Sequence, residues 1–300
     1  MKTSFMKILK LSILLGFVLI GFSNAAIGQT KTDTTWIVET KDGNNYVGTV
    51  KYLRDSLVEV TTKLGTLTIP KRMIQSISLP KKDEMVKGEY WPENPHSSRH
   101  FWGPSGYGLR KGEGYYQNIW VFFNQASYGF TDNFTLGIGV VPLFLFGAGL
   151  EYTPFWITPK FNFPYKNGKG AFGAGTILFG ITGEEGQFVG ILYGTNTFGT
   201  RDRQLTLGLG YGYNTGEDGG FAKYPTLSVS GMIRTSRKWA FITENYLIAA
   251  GENTNIGFVS GGARFMAKHL AIDFGGFIPV SGELDRIIIL PWLGITVPFR

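Results

Sequence analysis

The stretch IIILPWLGITVPFR, residues 287–300, places Ile287, Ile289, Pro291, Leu293, Ile295, Val297 and Phe299 at every second position. Alternate side chains share one face of a strand, so this segment has an unbroken apolar face and needs an apolar partner of the same length. Earlier parts of the chain repeat the pattern in segments of about ten residues separated by turn clusters, as in a transmembrane antiparallel β-barrel whose partner is lipid. The clearest repeat alternates Leu205, Leu207, Leu209, Tyr211 and Tyr213 with Thr206, Gly208, Gly210, Gly212 and Asn214. One face suits lipid and the other a crowded lumen.

Composition excludes the helical way of crossing a membrane. Beyond the first 25 residues the longest apolar runs, Gly139 to Leu150 and Ile287 to Phe299, fall short of the ~20 residues a spanning helix needs, and both contain proline. A chain with 43% hydrophobic residues, 15% aromatics, 42 glycines and a mean hydropathy of +0.01 suits strands that are half lipid-facing and half polar or small. Lys2, Lys7 and Lys10, the apolar run Leu11 to Phe22 and the small residues Ser23-Asn24-Ala25 read as a signal peptide over residues 1–25. Loss of its three lysines takes the formal charge from +7 to +4, a solvated surface rather than a nucleic-acid footprint. The chain has no cysteine, so neither a disulfide framework nor a lipid-modified N-terminal cysteine is available.

Three regions follow the signal. Residues 34–80 hold five short runs rich in β-branched residues, separated by Asp42-Gly43, Arg54-Asp55-Ser56 and Leu64-Gly65, which predict a small β-domain. Residues 81–98, with Pro92, Pro95 and many charges, read as a linker, and residues 99–300 as the barrel. Twelve barrel strands are expected, beginning with a weak one at 99–106 and a long one at 115–130. Short turns at Thr131-Asp132-Asn133, Lys166 to Gly170, Arg201-Asp202-Arg203, Ser236-Arg237-Lys238 and Lys268-His269 fall on the same side as the C-terminus. Short turns of such barrels are periplasmic, so both ends are expected in the periplasm of an outer-membrane protein. Glu184, Glu185, Glu217, Asp218, Glu252, Glu283 and Asp285 gather in the connections assigned to the opposite rim, and Lys166, Lys169, Arg201, Arg203, Arg237, Lys238 and Lys268 in the short turns.

Two stretches carry a resemblance. FWGPSGYGLRKGEGYYQNIWVFFNQASYGFTDNFTLGIG (Phe101 to Gly139) resembles the opening of a widespread group of uncharacterised outer-membrane β-barrel proteins of diderm bacteria. DGNNYVGTVKYLRDSLVEVTTKLGTLTIPKRMIQSI, from Asp42, resembles the SH3-like or Sm-like small β-domain that precedes many such barrels. The likeness implies an all-β fold and an outer-membrane location, with no activity or ligand site attached.

No constellation of residues points to catalysis. His96 and His100, in or beside the linker, and His269, in a turn, read as solvated histidines, and no Gly-x-Ser-x-Gly elbow is present. Gly168-Lys169-Gly170-Ala171-Phe172-Gly173 matches a dinucleotide fingerprint in letters only, because it enters a strand rather than a helix. No cofactor or metal is implied. The sharper signal is electrostatic: by alternation Lys160, Arg234, Glu244, Arg264 and Asp273 point inward, since facing lipid at mid-bilayer costs about 2–4 kcal/mol for each Arg or Lys. Arg264 and Asp273 flank one turn symmetrically, as cross-strand partners do. The same phase puts Trp120, Phe122 and Trp156 inside.

Two readings of the inward charges stay open: a constriction for small polar or ionic solutes, or the salt-bridged filling of a closed barrel. Lipid hydrolysis ranks below both. Trp292, Leu293, Ile295, Val297 and Phe299 are the candidate signal for the barrel-assembly machinery. Outer-membrane lipid is the expected partner of the barrel, nucleic acid is not, and residues 34–80, with the basic edge Lys63, Lys71, Arg72, Lys81 and Lys82, are candidates for a periplasmic or cell-wall contact.

Overall fold

The computed structural model describes residues 34–53, 56–80, 84–147, 152–183, 187–217, 219–249, 255–267, 269–281 and 287–300. The signal segment, Lys81, Lys82, Lys268 and all the acidic rim residues named above except Glu217 lie outside the described residues. The described chain divides into two compact units between Glu93 and Asn94.

The first unit is a five-stranded antiparallel sheet of β1 (Trp36–Thr40), β2 (Asn45–Leu53), β3 (Leu57–Thr62), β4 (Gly65–Pro70) and β5 (Ile74–Ser78), in the order β4-β3-β2-β1-β5. Val38, Val58, Val60 and Ile69 form its core, with Tyr46, Val50, Ile74 and Ile77 packed around them. The β1–β2 turn is set by Asp42-Gly43, where Gly43 takes φ +84°. There the Thr40 hydroxyl bonds the Asp42 carboxyl and holds it below the usual carboxylate pKa. A two-residue ribbon, β6 (Met85–Val86) with β7 (Glu89–Tyr90), ends the unit.

The second unit is a closed barrel. Its strands are β8 (Gly114–Ile119), β9 (Phe123–Thr131), β10 (Phe134–Val140), β11 (Pro154–Pro164), β12 (Gly170–Ile181), β13 (Val189–Thr200), β14 (Arg203–Asn214), the short flap β15 (Gly220–Phe221), β16 (Thr226–Arg234), β17 (Trp239–Ala249), β18 (Asn255–Met266), β19 (Ala271–Val280) and β20 (Leu290–Phe299), with a one-turn helix α1 (Pro142–Gly147) after β10. Setting β15 aside, twelve antiparallel strands make the wall, and β20 pairs back onto β8 from Gly294↔Ile119 to Phe299↔Gly114. Closure leaves the ring without an edge. Outward positions are apolar and exposed, among them Phe161, Phe163, Leu207, Leu209, Tyr211, Leu293, Ile295, Val297 and Phe299. No helix among the described residues is long and apolar enough to cross a membrane.

The count of twelve stands through two offsetting differences from the expected strands. Residues 115–130 are not one strand but the hairpin β8–β9, turning at Trp120, Val121 and Phe122. Alternation runs through that turn without a glycine, asparagine or proline to mark it, and Trp120 and Val121 adopt φ +51° and +68°. Such values belong to Asn and Gly in ordinary hairpins, so turn chemistry gave no warning. Trp120 and Phe122 consequently stand at the turn, 39% and 49% exposed, rather than in the lumen; Trp156 does point inward and is buried.

Residues 99–106, in turn, are no wall strand. Residues 94–109 run inside the ring as a folded-back segment, with an isolated bridge Arg99↔Pro104, and the expected linker over 81–98 therefore has its last five residues in the barrel unit. An eight-stranded barrel is filled by its own side chains, but a ring of twelve is wider, and here much of its inner face is Gly, Ser and Thr. The internal segment occupies that space.

Candidate functional site

A chain segment inside a barrel brings peptide groups that no ladder pairs, and each buried one must find a partner. In this lumen the wall supplies them, and the sign of each inward charge matches the backbone group that it meets. A carboxylate can only accept and a guanidinium or ammonium can only donate. Glu244, on β17 and 2% exposed, takes the three consecutive backbone N–H groups of Phe101, Trp102 and Gly103 on Oε2, at 2.7, 3.0 and 3.0 Å. Its other oxygen accepts from the Tyr246 hydroxyl at 2.7 Å.

The cations hold carbonyls. Lys160 Nζ, from β11, donates to Ser98 O at 3.0 Å and Tyr107 O at 2.5 Å, tying the two limbs of the segment together. Arg264, on β18 and fully buried, donates to His96 O at 3.0 Å and His100 O at 2.5 Å. Arg264 stands directly opposite Asp273 of β19 in register, and its Nε and Nη2 reach the two carboxylate oxygens at 2.5 and 2.8 Å. Arg99 of the internal segment completes the cluster, donating to Asp273 Oδ2 at 3.0 Å, Phe101 O at 2.8 Å and Thr296 Oγ1 at 2.6 Å.

Thus Asp273 balances two buried guanidiniums, one from the wall and one from the segment. Arg234 lies apart from this group, paired with Asp202 at 3.1 Å near a short turn. All five charged residues picked out by alternation are buried in the barrel interior, and Glu244, Lys160, Arg264 and Asp273 converge on the internal segment.

Sequence reading missed the other half of this site. His96 and His100 are buried at 1% and 0% exposure instead of solvated, with both ring nitrogens of His100 lacking a partner, whereas His269 is exposed. Arg99, Ser97 and Ser105 also belong to the interior: Gln204 Nε2 and Ser105 Oγ both donate to Ser97 O, at 3.0 and 2.7 Å. Arg201, assigned to a rim turn, reaches in to Ser97 Oγ at 2.8 Å and lies over the Tyr107 ring at 4.8 Å. The available signal was the run SSRHFWGPSGYG, residues 97–108, dense in Gly, Ser and aromatics without strand alternation.

Packing locks the tip. Phe101 is fully buried against Met232, Ala240, Ile242, Met266 and Ala271, with its ring 5.5 Å from those of both Phe277 and Trp292. It fits over Gly262, where a Cβ would come within 2.2 Å of the Phe274 carbonyl oxygen and 2.9 Å of the Phe101 ring. Beside the segment a small cavity of about 40 Å³, of mixed polar and apolar lining that includes Arg99, Trp102, Gln125, Lys160, Ile177 and Tyr193, has room for a few waters.

Of the candidate assembly residues, Leu293, Ile295, Val297 and Phe299 project outward, and Trp292 points inward onto Phe101. The Phe299 ring lies over Gly114, its partner residue across the β20–β8 seam.

No protein-family model and no curated relative matches this sequence. Among solved structures the chain is similar to the KdgM porin, with 12% identity, 63% of this chain and 99% of that one covered and a TM-score of 0.43. It is also similar to the outer-membrane expressed OmpT of Vibrio cholerae, with 11% identity, 91% and 100% covered and a TM-score of 0.34. A third is the CymD monoaromatic hydrocarbon channel, with 10% identity, 89% and 87% covered and a TM-score of 0.28. The barrel assignment rests on the strand pairing of this chain itself.

Proposed function

We propose that this protein is an integral outer-membrane β-barrel whose lumen is a narrow path for small solutes, closed in the described state by residues 94–109. The observation that carries the reading is the clasp itself: wall charges bind the backbone of a segment that has no covalent tie inside the ring. Hydrogen bonds and ion pairs of this kind can exchange partners, which a lumen filled by wall side chains cannot do. The short turns and the last strand share one end of the ring, which supports placing both termini in the periplasm. On this reading residues 34–80 form an SH3-like periplasmic domain able to meet the cell wall. The chain then belongs with the diderm outer-membrane barrels that Phe101 to Gly139 resembles.

Planar-bilayer recording tests the proposal. Wild type is expected to be silent or to open rarely, and Glu244→Gln, which weakens the hold on three N–H groups, to conduct. Silence in that variant and in Asp273→Ala would favour the second reading, a non-conducting structural barrel, for which the dense packing of Phe101 speaks. No enzymatic step is part of the proposal; lipid hydrolysis by the purified protein, lost when His96, His100 and His269 are replaced together, would overturn that. Recognition of the last strand by the assembly machinery predicts a lower outer-membrane yield for Phe299→Asp than for a substitution such as Lys87→Ala.

A further inference from the structure

Lys160 is an inward cation without a carboxylate. Around the internal segment Lys160, Arg99 and Arg264 face Glu244 and Asp273, and both acids are fully engaged. Asp273 pairs with the two guanidiniums, and Glu244 takes three backbone N–H groups and the Tyr246 hydroxyl. Lys160 Nζ donates only to the carbonyl oxygens of Ser98 and Tyr107, which leaves the last of its three N–H groups free. One buried positive charge is therefore without its opposite, a strongly unfavourable state in an interior shielded from water.

The cavity beside this ammonium is furnished with donors. Its lining includes Lys160, Arg99, whose Nε–H is buried without a partner, and Ser98, whose Oγ is likewise unpartnered. The hydroxyls of Tyr115 and Tyr193 line it too and make no hydrogen bond among the described residues. Acceptors are scarce. Gln125 Oε1 already takes the indole N–H groups of Trp102 at 3.1 Å and Trp156 at 2.7 Å, and no Asp or Glu stands among the lining residues.

Water in such a space accepts from the donors but brings no charge; an anion does both. The volume of about 40 Å³ corresponds to a few non-hydrogen atoms, the size of a halide or of a carboxylate group. Phosphate and sulfate fit less well, because the apolar flank of Trp102, Pro104 and Ile177 offers nothing to their further oxygens.

We propose that this cavity binds one small monovalent anion, a halide or a carboxylate, between Lys160 of the wall and Arg99 of the internal segment, with the Tyr115 and Tyr193 hydroxyls as further donors. The anion joins wall to segment and so strengthens the clasp. The inference goes beyond the solute path proposed above and requires only the closed state.

Equilibrium dialysis tests it. The full chain, folded in detergent and heat-modifiable on a gel, is dialysed against radiolabelled chloride or formate, with formamide as the uncharged counterpart and a bulky buffer anion. Saturable uptake of a single anion per chain is expected for chloride, formate or both, and none for formamide. Tyr193→Phe removes a donor that holds nothing else and should weaken binding about ten-fold, the worth of one hydrogen bond to a charge. Lys160→Met should abolish binding, and Lys166→Ala, on the exposed rim, should leave it unchanged. A cavity holding water only would show no saturable uptake of either anion, or equal uptake of formamide, and would overturn the proposal. Tyr193→Phe identical to wild type, or binding lost in Lys166→Ala, would overturn it as well. If Lys160→Met does not fold, Tyr193→Phe and formamide decide. Binding is read here and not conductance, so a failed anion site leaves the proposed path standing, and a silent bilayer leaves the anion site standing.

Discussion

The two ends of the lumen solve opposite problems. Toward the short turns the inner face is Gln117, Thr135, Lys160, Asn162, Thr197, Gln204, Glu244, Arg264, Asp273 and Thr296, all buried under the internal segment and most of them bonded to it. Toward the longer connections it is Ile177, Phe179, Phe277 and Trp292, only partly covered. Peptide groups need polar partners and apolar rings need none, so the first surface holds the backbone of the internal segment and the second packs against its rings. The boundary between them is the segment's tip, where the backbone of Phe101 and Trp102 belongs to Glu244 and their rings belong to the aromatic side.

That contrast predicts a steep gradient of mutational cost. The largest effect is expected at Asp273→Ala, which leaves Arg99 and Arg264 buried without their shared carboxylate and should cost about 3–5 kcal/mol, read as earlier loss of the heat-resistant band on a gel. A stability equal to wild type would mean that water reaches the cluster and that the polar half is not filled. Phe101→Ala should follow at about 3 kcal/mol in the same assay, because it empties a site enclosed by wall side chains. Gly262→Ala sharpens the point: the added methyl meets backbone as well as the Phe101 ring, and about 1–3 kcal/mol is expected, with relief when it is combined with Phe101→Leu.

The smallest effect belongs to the open side. Trp120→Asn with Val121→Gly gives a favoured turn and removes two strained φ angles, which offsets the loss of the Trp120 ring contacts and of its indole hydrogen bond to Pro291 O, so thermal stability in detergent should change by less than about 1 kcal/mol. A loss as large as that of Asp273→Ala would show that the β8–β9 turn is part of the structural core, and the distinction between the two ends would collapse.

Legibility in the sequence followed the same division. The wall strands from β11 to β20 announce themselves by period-two alternation, since lipid on one side and a lumen on the other impose opposite demands on neighbouring residues. Alternation also fixed the inward phase of Lys160, Arg234, Glu244, Arg264 and Asp273, and the symmetric spacing of Arg264 and Asp273 about their turn anticipated the register in which they meet. Nothing in the letters identified what those charges hold. The β8–β9 turn was hidden because lipid at its tip replaced the expected turn residues with Trp, Val and Phe.

By itself, then, the sequence determined a closed antiparallel barrel, its apolar outer belt and the direction of its buried charges, because each of these is a local pattern repeated along the strand. Only the tertiary structure decided that residues 94–109 turn back into the ring and that Glu244 and Arg264 bind peptide groups in place of solute. Those features depend on the width of a twelve-stranded ring and on which distant backbone groups are left unpaired within it, and neither quantity is written in any local stretch of the chain.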